Sequence, residues 1–156
     1  MTRSRALVRP ARRADAERLV ALLVAQFREH RIKTPVRRIA WAVDGVLRHP
    51  ERGRLLVATL AGRPIGLAAL SFIWPLEHGG RSAWLEELYV EPPHRGRGIG
   101  RTLLRAACRL AARSGAAAVD LEVDAGHTRA ARLYAREGFR SLPRARWVRR
   151  LRRAGR

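Results

Sequence analysis

Cysteine is nearly absent from this chain: Cys108 is the only one in 156 residues. No disulfide can form within the chain, and a reducing compartment is expected. Lysine is almost missing too. Of 33 basic residues only Lys33 is lysine, the rest being arginine, and 13 acids leave a formal net charge of +20. Long hydrophobic runs are also lacking. The longest near the start, Leu19 to Phe27, is too short to span a bilayer. The basic opening MTRSRALVRPARR is not followed by an apolar segment of signal-peptide type. Asp15 and Glu17 argue against an organellar transit peptide. The expectation is a cytoplasmic protein with no membrane partner.

Hydrophobic residues make up 47% of the chain, which excludes a disordered basic tail. The length suits a single domain, residues 1–156, with a core over about 5–151 and a basic tail at 152–156. The arginine excess fits either a genomic composition bias or a selected surface. Either way the surface field attracts anions, whether phosphates, nucleic acid or acidic lipids.

Periodicity predicts alternating elements. Arg5 to Arg9 is a short strand ended by Pro10. Asp15 is a candidate N-cap for a helix whose apolar positions are Ala16, Leu19, Val20, Leu23 and Phe27. Thr34-Pro35 opens a second helix, capped by Thr34, with Ile39, Val43, Val46 and Leu47 on its apolar face. Arg54 to Leu60, the turn Ala61 to Pro64, and Ile65 to Trp74 form a β-hairpin. Pro75 to Arg81 is a loop. Ser82 to Val90 is a strand, and Ile99, Leu103, Ala107 and Leu110 mark a helix running to about Ser114-Gly115. Ala117 to Val123 is a strand, His127 to Phe139 a helix stopped by Gly138, and Arg146 to Leu151 a last edge strand. The order β-α-α-β-β-β-α-β-α-β is an α/β mixture, antiparallel first and βαβ later.

Arg95-Gly96-Arg97-Gly98-Ile99-Gly100 falls between a strand and a helix. Glycines bare backbone N–H groups to a ligand, and the following helix adds its positive N-terminal end. Together they suit a pyrophosphate. A tight turn in a glycine-rich chain would give the same pattern. The run lacks the Gly-Lys-Ser/Thr of a nucleotide-binding loop and is not in the Rossmann position.

The stretch YVEPPHRGRGIGRTLL resembles the acyl-CoA signature of the GNAT superfamily of N-acyltransferases. That pattern is Arg/Gln-x-x-Gly-x-Gly/Ala after a strand ending in Val-x-Pro, matched here by Arg95, Gly98 and Gly100 after Val90 and Pro92. A second segment, LEVDAGHTRAARLYAREGF, resembles the family's strand and helix ending in Leu-Tyr-x-x-x-Gly-Phe. The resemblance implies the GNAT fold: a mixed central sheet with a V-shaped splay between the fourth and fifth strands, flanked by about four helices. It implies acetyl-CoA as cosubstrate and an amine acceptor. The pyrophosphate would lie on backbone N–H groups from Arg95 through Gly96, Arg97, Gly98, Ile99, Gly100 and Arg101 to about Thr102. The pantetheine arm would pair along Leu88, Tyr89 and Val90. His127 stands where the family often has a CoA-holding asparagine, and it could equally be a simple helix-start residue.

An amine of pKa about 10 must lose a proton before it attacks a thioester. Glu86 and Glu87 are the candidate bases. Glu86 is preferred, because 12 residues before Gly98 is where polyamine-acetylating members carry a catalytic glutamate. Neighbouring strand residues face opposite sides, so one alone should reach the amine unless a bulge intervenes. Both could instead merely balance arginines. Tyr134 occupies the family's tyrosine position, as acid for the leaving thiolate or as a core aromatic. Trp74, Glu77 and His78 would line an acceptor pocket.

The five histidines and Cys108 have no metal-ligand spacing, so no metal is expected. Cys108 suits a small helix residue better than a nucleophile. Arg101, Arg105, Arg109 and Arg113 fall on one helix face, which is ordinarily solvated. Two classes stay open: an N-acetyltransferase acting on a small amine, polyamine, aminoglycoside-like compound or protein N-terminus, and a nucleic-acid-binding or regulatory module that keeps the fold. The carboxylate pair and Tyr134 favour the enzyme, the charge the module. A homodimer is left open by the sequence.

Overall fold

The computed structural model describes residues 6–151, which excludes the first residue of the expected strand at Arg5 and the basic tail 152–156. The chain forms two compact units, Met1–Glu122 and Val123–Arg156.

The first unit is built on a five-stranded sheet: β1 Leu7–Pro10, β2 Gly53–Leu60, β3 Arg63–Ile73, β4 Ser82–Val90 and β5 Val119–Asp120. The strands lie in chain order. The first four pair antiparallel and β5 joins β4 in parallel. Among the described residues, three α-helices belong to this unit, α1 Ala16–Glu29, α2 Val36–Arg48 and α3 Ile99–Arg113.

Strand alternation sets the two faces of the sheet. Leu55, Val57, Leu67 and Tyr89 point to one side and pack with Leu19, Leu22, Leu23, Ile39 and Val43 of α1 and α2. On the other side, Val90 and Leu103 of α3 come close to Gly66, where an added Cβ would also lie 2.7 Å from Tyr89 O. Side chains facing α1 and α2 therefore belong to a different surface from those facing α3.

The expected hairpin is present, but its turn has two central residues. Ala61 and Gly62 both take positive φ, 48° and 81°, which matches the twist that joins tightly linked strands. Asp15 holds the expected N-cap position of α1, but its side chain makes no capping bond to that helix. It ends a 3₁₀ turn, Arg13–Asp15, and its carboxylate accepts from Arg12 N at 2.7 Å and from Arg9 at 2.7 and 2.9 Å. Pro35, rather than Thr34, holds the cap position of α2, with extended ψ of 138° and its carbonyl accepting from Arg38 N. α3 ends as expected: Gly115 adopts φ 80°, and Ala116 N closes onto Ala111 O at 3.1 Å.

The fifth strand is shorter than Ala117 to Val123. Its ladder with β4 covers only Ala83 with Val119 and Trp84 with Asp120. The partners then part, which is the V-shaped opening between fourth and fifth strands. Beyond Trp84, β4 has no strand on that edge among the described residues.

The second unit carries α4, Thr128–Arg136. Gly138 at φ 89° ends it, with Phe139 N donating to Tyr134 O at 3.0 Å. The Tyr134 and Phe139 rings meet edge-on with centroids 5.7 Å apart. The expected strand Arg146 to Leu151 does not form. Trp147, Val148 and Leu151 are exposed there. Two apolar residues, two arginines and one apolar residue do not alternate with period two, so no single face could be buried.

Candidate active site

The carboxylates at the middle of β4 depart from simple alternation. The β3–β4 register is Ser71 with Trp84, Leu70 with Leu85 and then Ala69 with Glu87, a bulge that leaves Glu86 opposite no residue. A bulge of this kind turns two consecutive side chains toward one face. Ser71 and Ala69 lie two apart on β3 and so share a face. Glu86 accepts from the Ser71 hydroxyl at 2.5 Å, and Glu87 Oε2 accepts from Gln26 Nε2 of α1 at 2.7 Å. Both acids thus lie on the α1/α2 side.

Their environments differ. Glu86 is exposed and Glu87 is half-buried. Burial pushes the Glu87 carboxyl up to about 7, and the charges of Glu86 and Glu122 add to the rise. The Gln26 hydrogen bond opposes it. A carboxyl held there is ionised often enough at neutral pH to accept a proton and basic enough to keep it.

Farther along β4, Tyr89 donates its hydroxyl to Glu29 at 2.9 Å. Arg95 reaches the same carboxylate at 2.8 and 2.9 Å and donates through Nε to Val90 O at 2.7 Å. Its guanidinium also lies 5.2 Å from the Tyr89 ring centre. The hydrogen bonds from Arg95 and Tyr89 hold the Glu29 carboxyl below its ordinary value against the opposing effect of burial. Arg95 is thereby a strut between the end of α1, the last carbonyl of β4 and the glycine loop.

In that loop Gly96 and Gly98 take φ 76° and 78°, the left-handed region that favours glycine. A Cβ at Gly98 would meet no heavy atom within 4 Å, so the space over the loop is open. Thr102 N makes its helix bond to Gly98 O at 3.0 Å, and Arg95 N is used by Pro92 O at 3.2 Å. At the two ends of the expected anion-binding stretch, Arg95 and Thr102, the N–H groups are thus already engaged. The open space, positive-φ glycines and helix start fit a phosphate group.

The loop after β3 holds the other expected residues. Trp74 is exposed and its ring lies against Gly80. Glu77 is exposed. His78 Nε2 is 2.9 Å from Asp120 Oδ2, which ties the loop to the end of β5 at the opening. His127 and Tyr134 belong to the second unit, where His127 precedes α4 and its N–H donates to Asp124 O at 2.8 Å. Arg101, Arg105, Arg109 and Arg113 are all exposed on α3. Among the described residues, no group of three His, Cys, Asp or Glu is placed to hold a metal ion, and no helix is long and apolar enough to cross a membrane.

Gln26, Glu29, Ser71, Asp120 and Glu122 were not foreseen. Gln26 alone carried a signal: it is a polar residue on the buried stripe of α1 with Leu19, Leu22 and Leu23.

The profile of the Acetyltransferase (GNAT) family matches residues 16–139. An uncharacterized N-acetyltransferase of Methanocaldococcus jannaschii is 32% identical over 100 residues, covering 64% of this chain and 44% of the relative. Streptothricin acetyltransferase of Streptomyces lavendulae is 37% identical over 102 residues, 62% of this chain and 49% of the relative. The chain thus spans about half the length of these two curated relatives. A proposed acetyltransferase from Arthrobacter sp. FB24 superposes with TM-score 0.80 at 32% identity, over 97% of this chain and 99% of the other. An acetyltransferase structure from Clostridium acetobutylicum containing acetyl-CoA superposes with TM-score 0.78 over 93% and 96% of the chains, and at 20% identity it speaks to fold alone.

Proposed function

The chain belongs to the Acetyltransferase (GNAT) family, and on that premise we propose that it transfers the acetyl group of acetyl-CoA to a primary amine by direct attack. The acceptor is a small amine, polyamine, aminoglycoside-like compound or protein N-terminus. The observation that carries this reading is the bulge of β4, which sets Glu86 and Glu87 on one sheet face beside an edge without a strand partner among the described residues.

Acetyl-CoA, when bound, supplies the thioester that the amine attacks. The backbone of Gly96 to Arg101 would hold its pyrophosphate, and the β4 edge from Leu88 to Val90 its pantetheine arm. Arg95 acts through its side chain, fixing the loop on Glu29 and Val90. Glu87 takes the proton of the ammonium, directly or through water, and replaces Glu86 as the preferred base. Its raised proton affinity and buried setting support that role, whereas Glu86 is exposed and bonded to Ser71. Glu86 keeps Glu87 basic by its negative charge. Tyr134 returns a proton to the thiolate, a role taken from the family motif. Trp74, Glu77 and His78 form the acceptor side, with His78 braced by Asp120. One catalytic domain, a cytoplasmic setting and a homodimer are parts of the same proposal.

Release of free CoA from acetyl-CoA across a broad panel of primary amines tests the reading. Turnover with at least one amine class is expected. Salt-dependent retention on DNA, with no turnover on any amine, would replace it by a nucleic-acid-binding module.

A further inference from the structure

Gln26 is a polar residue where the fold asks for an apolar one. It is 7% exposed and shares the buried stripe of α1 with Leu19, Leu22 and Leu23. A leucine or methionine there would lose no hydration on burial, whereas an amide gives up water at both polar atoms. Nε2 recovers a partner, Glu87 Oε2, at 2.7 Å. Oε1 does not: it is buried and has no hydrogen-bond partner among the described residues. A buried acceptor without a donor carries a free-energy cost. The amide is therefore not explained by its own satisfaction. Its one hydrogen bond runs to a candidate proton acceptor on the neighbouring strand.

We propose that Gln26 is a positioning residue for Glu87, its buried amide holding the carboxylate in the orientation from which it takes a proton. The inference rests on Glu87 being the base. The groups around Glu87 come from several elements. Glu86 precedes it on β4, with the Ser71 hydroxyl of β3 on Glu86. Ala69 of β3 stands opposite. Glu122 approaches from beyond β5, and Gln26 from α1. Burial and both glutamates oppose ionisation, and within this set Gln26 alone favours it. An N–H donor to a carboxylate stabilises the charged form and fixes which oxygen stays free. Here Oε2 is engaged, which leaves Oε1 for the incoming proton.

The experiment is a ¹³C NMR titration of the side-chain carboxyls of the full chain, wild type and Gln26→Met. The pH profile of kcat/KM is recorded in parallel with the fastest acceptor from the amine panel. Methionine keeps the length and suits the apolar stripe. The Glu87 midpoint should rise by about one pH unit in the variant. The acid limb of kcat/KM should rise equally, with the rate recovering at high pH. A second measurement avoids any variant at position 26: the Gln26 side-chain ¹⁵N–H resonances should titrate with Glu87 in the wild type and cease to do so in Glu87→Gln. An unmoved Glu87 midpoint in Gln26→Met, or Gln26 resonances blind to its titration, overturns the contact. A moved midpoint with an unmoved rate limb overturns Glu87 as base, and with it the catalytic role of Gln26.

Discussion

Ser71 donates its hydroxyl to Glu86 at 2.5 Å, across the strand pair and on the face that Glu87 also shares. That bond gives the exposed acid of the pair a fixed partner and leaves the half-buried one to α1. Two chemically identical neighbours thus come to have different environments, Glu86 exposed and Glu87 half-buried, and burial raises the Glu87 carboxyl.

The first expectation separates the two acids. Glu87→Gln should lower kcat by about 10²- to 10⁴-fold, the ordinary worth of a positioned base, with acetyl-CoA affinity nearly kept. Glu86→Gln should cost less than about tenfold. The active form of the base is ionised, so the wild-type rate should rise with pH through about 7. Removing the Glu86 charge removes one cause of that elevation, so the limb should move to lower pH in Glu86→Gln. Steady-state CoA release from pH 5.5 to 9 measures all three. A near-normal Glu87→Gln beside a dead Glu86→Gln would exchange their roles.

Gly98→Val addresses the loop. Valine has room, since nothing lies within 4 Å of the new Cβ, but φ at Gly98 is 78°. A β-branched residue is strained there, by about 1–3 kcal/mol. The loop should leave its cradle conformation, and a side chain should enter the open space above it. Acetyl-CoA at about 100 times its Kd should stabilise the wild type by about 2.7 kcal/mol, and this thermal shift should vanish in the variant. A folded Gly98→Val with unchanged CoA affinity would dissociate the loop from the cofactor.

Asp15 offers a test of the fold apart from catalysis. Its carboxyl is held below the ordinary carboxylate value, chiefly by the hydrogen bonds from Arg9 and with help from Arg12 N. A depressed folded-state value means stability that is fully present above the unfolded value, near 4, and lost as pH falls through the folded one. Thermal melts should therefore weaken below about pH 4 in the wild type. Asp15→Asn should cost about 1–2 kcal/mol at pH 7, or roughly 2–8 °C in Tm, and flatten the acid dependence of its own contribution. An Asp15→Asn melt equal to wild type at pH 7 would make the Arg9 pair energetically silent.

Tyr134→Phe keeps the ring that meets Phe139 edge-on at 5.7 Å. Stability should change by less than about 0.5 kcal/mol. If the hydroxyl protonates the thiolate, CoA release should slow by about 10- to 100-fold, the low end of acid catalysis, because a thiolate leaves readily. CoA affinity should hold. Equal rates would reduce Tyr134 to packing.

Local chemistry made much of this protein legible before any coordinates. The glycine loop could be placed because glycine is favoured in the left-handed backbone taken at Gly96 and Gly98, and α3 follows within one residue of Gly98. The stripes of α1, α2 and α3 and the β2–β3 hairpin rest on spacings of a few residues, so they were visible as patterns. The terminal segment Arg146 to Leu151 was misjudged because β-propensity without period-two patterning does not specify a strand.

Tertiary structure alone decided which glutamate is half-buried and bonded to α1. A bulge is a mismatch of register between β3 and β4, and neither strand encodes it by itself. Gln26 lies 61 residues from Glu87 and Glu29 lies 66 from Arg95, distances over which sequence spacing carries no contact information. The end of β5 at Asp120 likewise depends on where β4 turns away from it. Sequence sets the local backbone preferences and the chemical inventory. Burial, and with it the proton affinity of a carboxyl, is a property of what the folded chain brings near it.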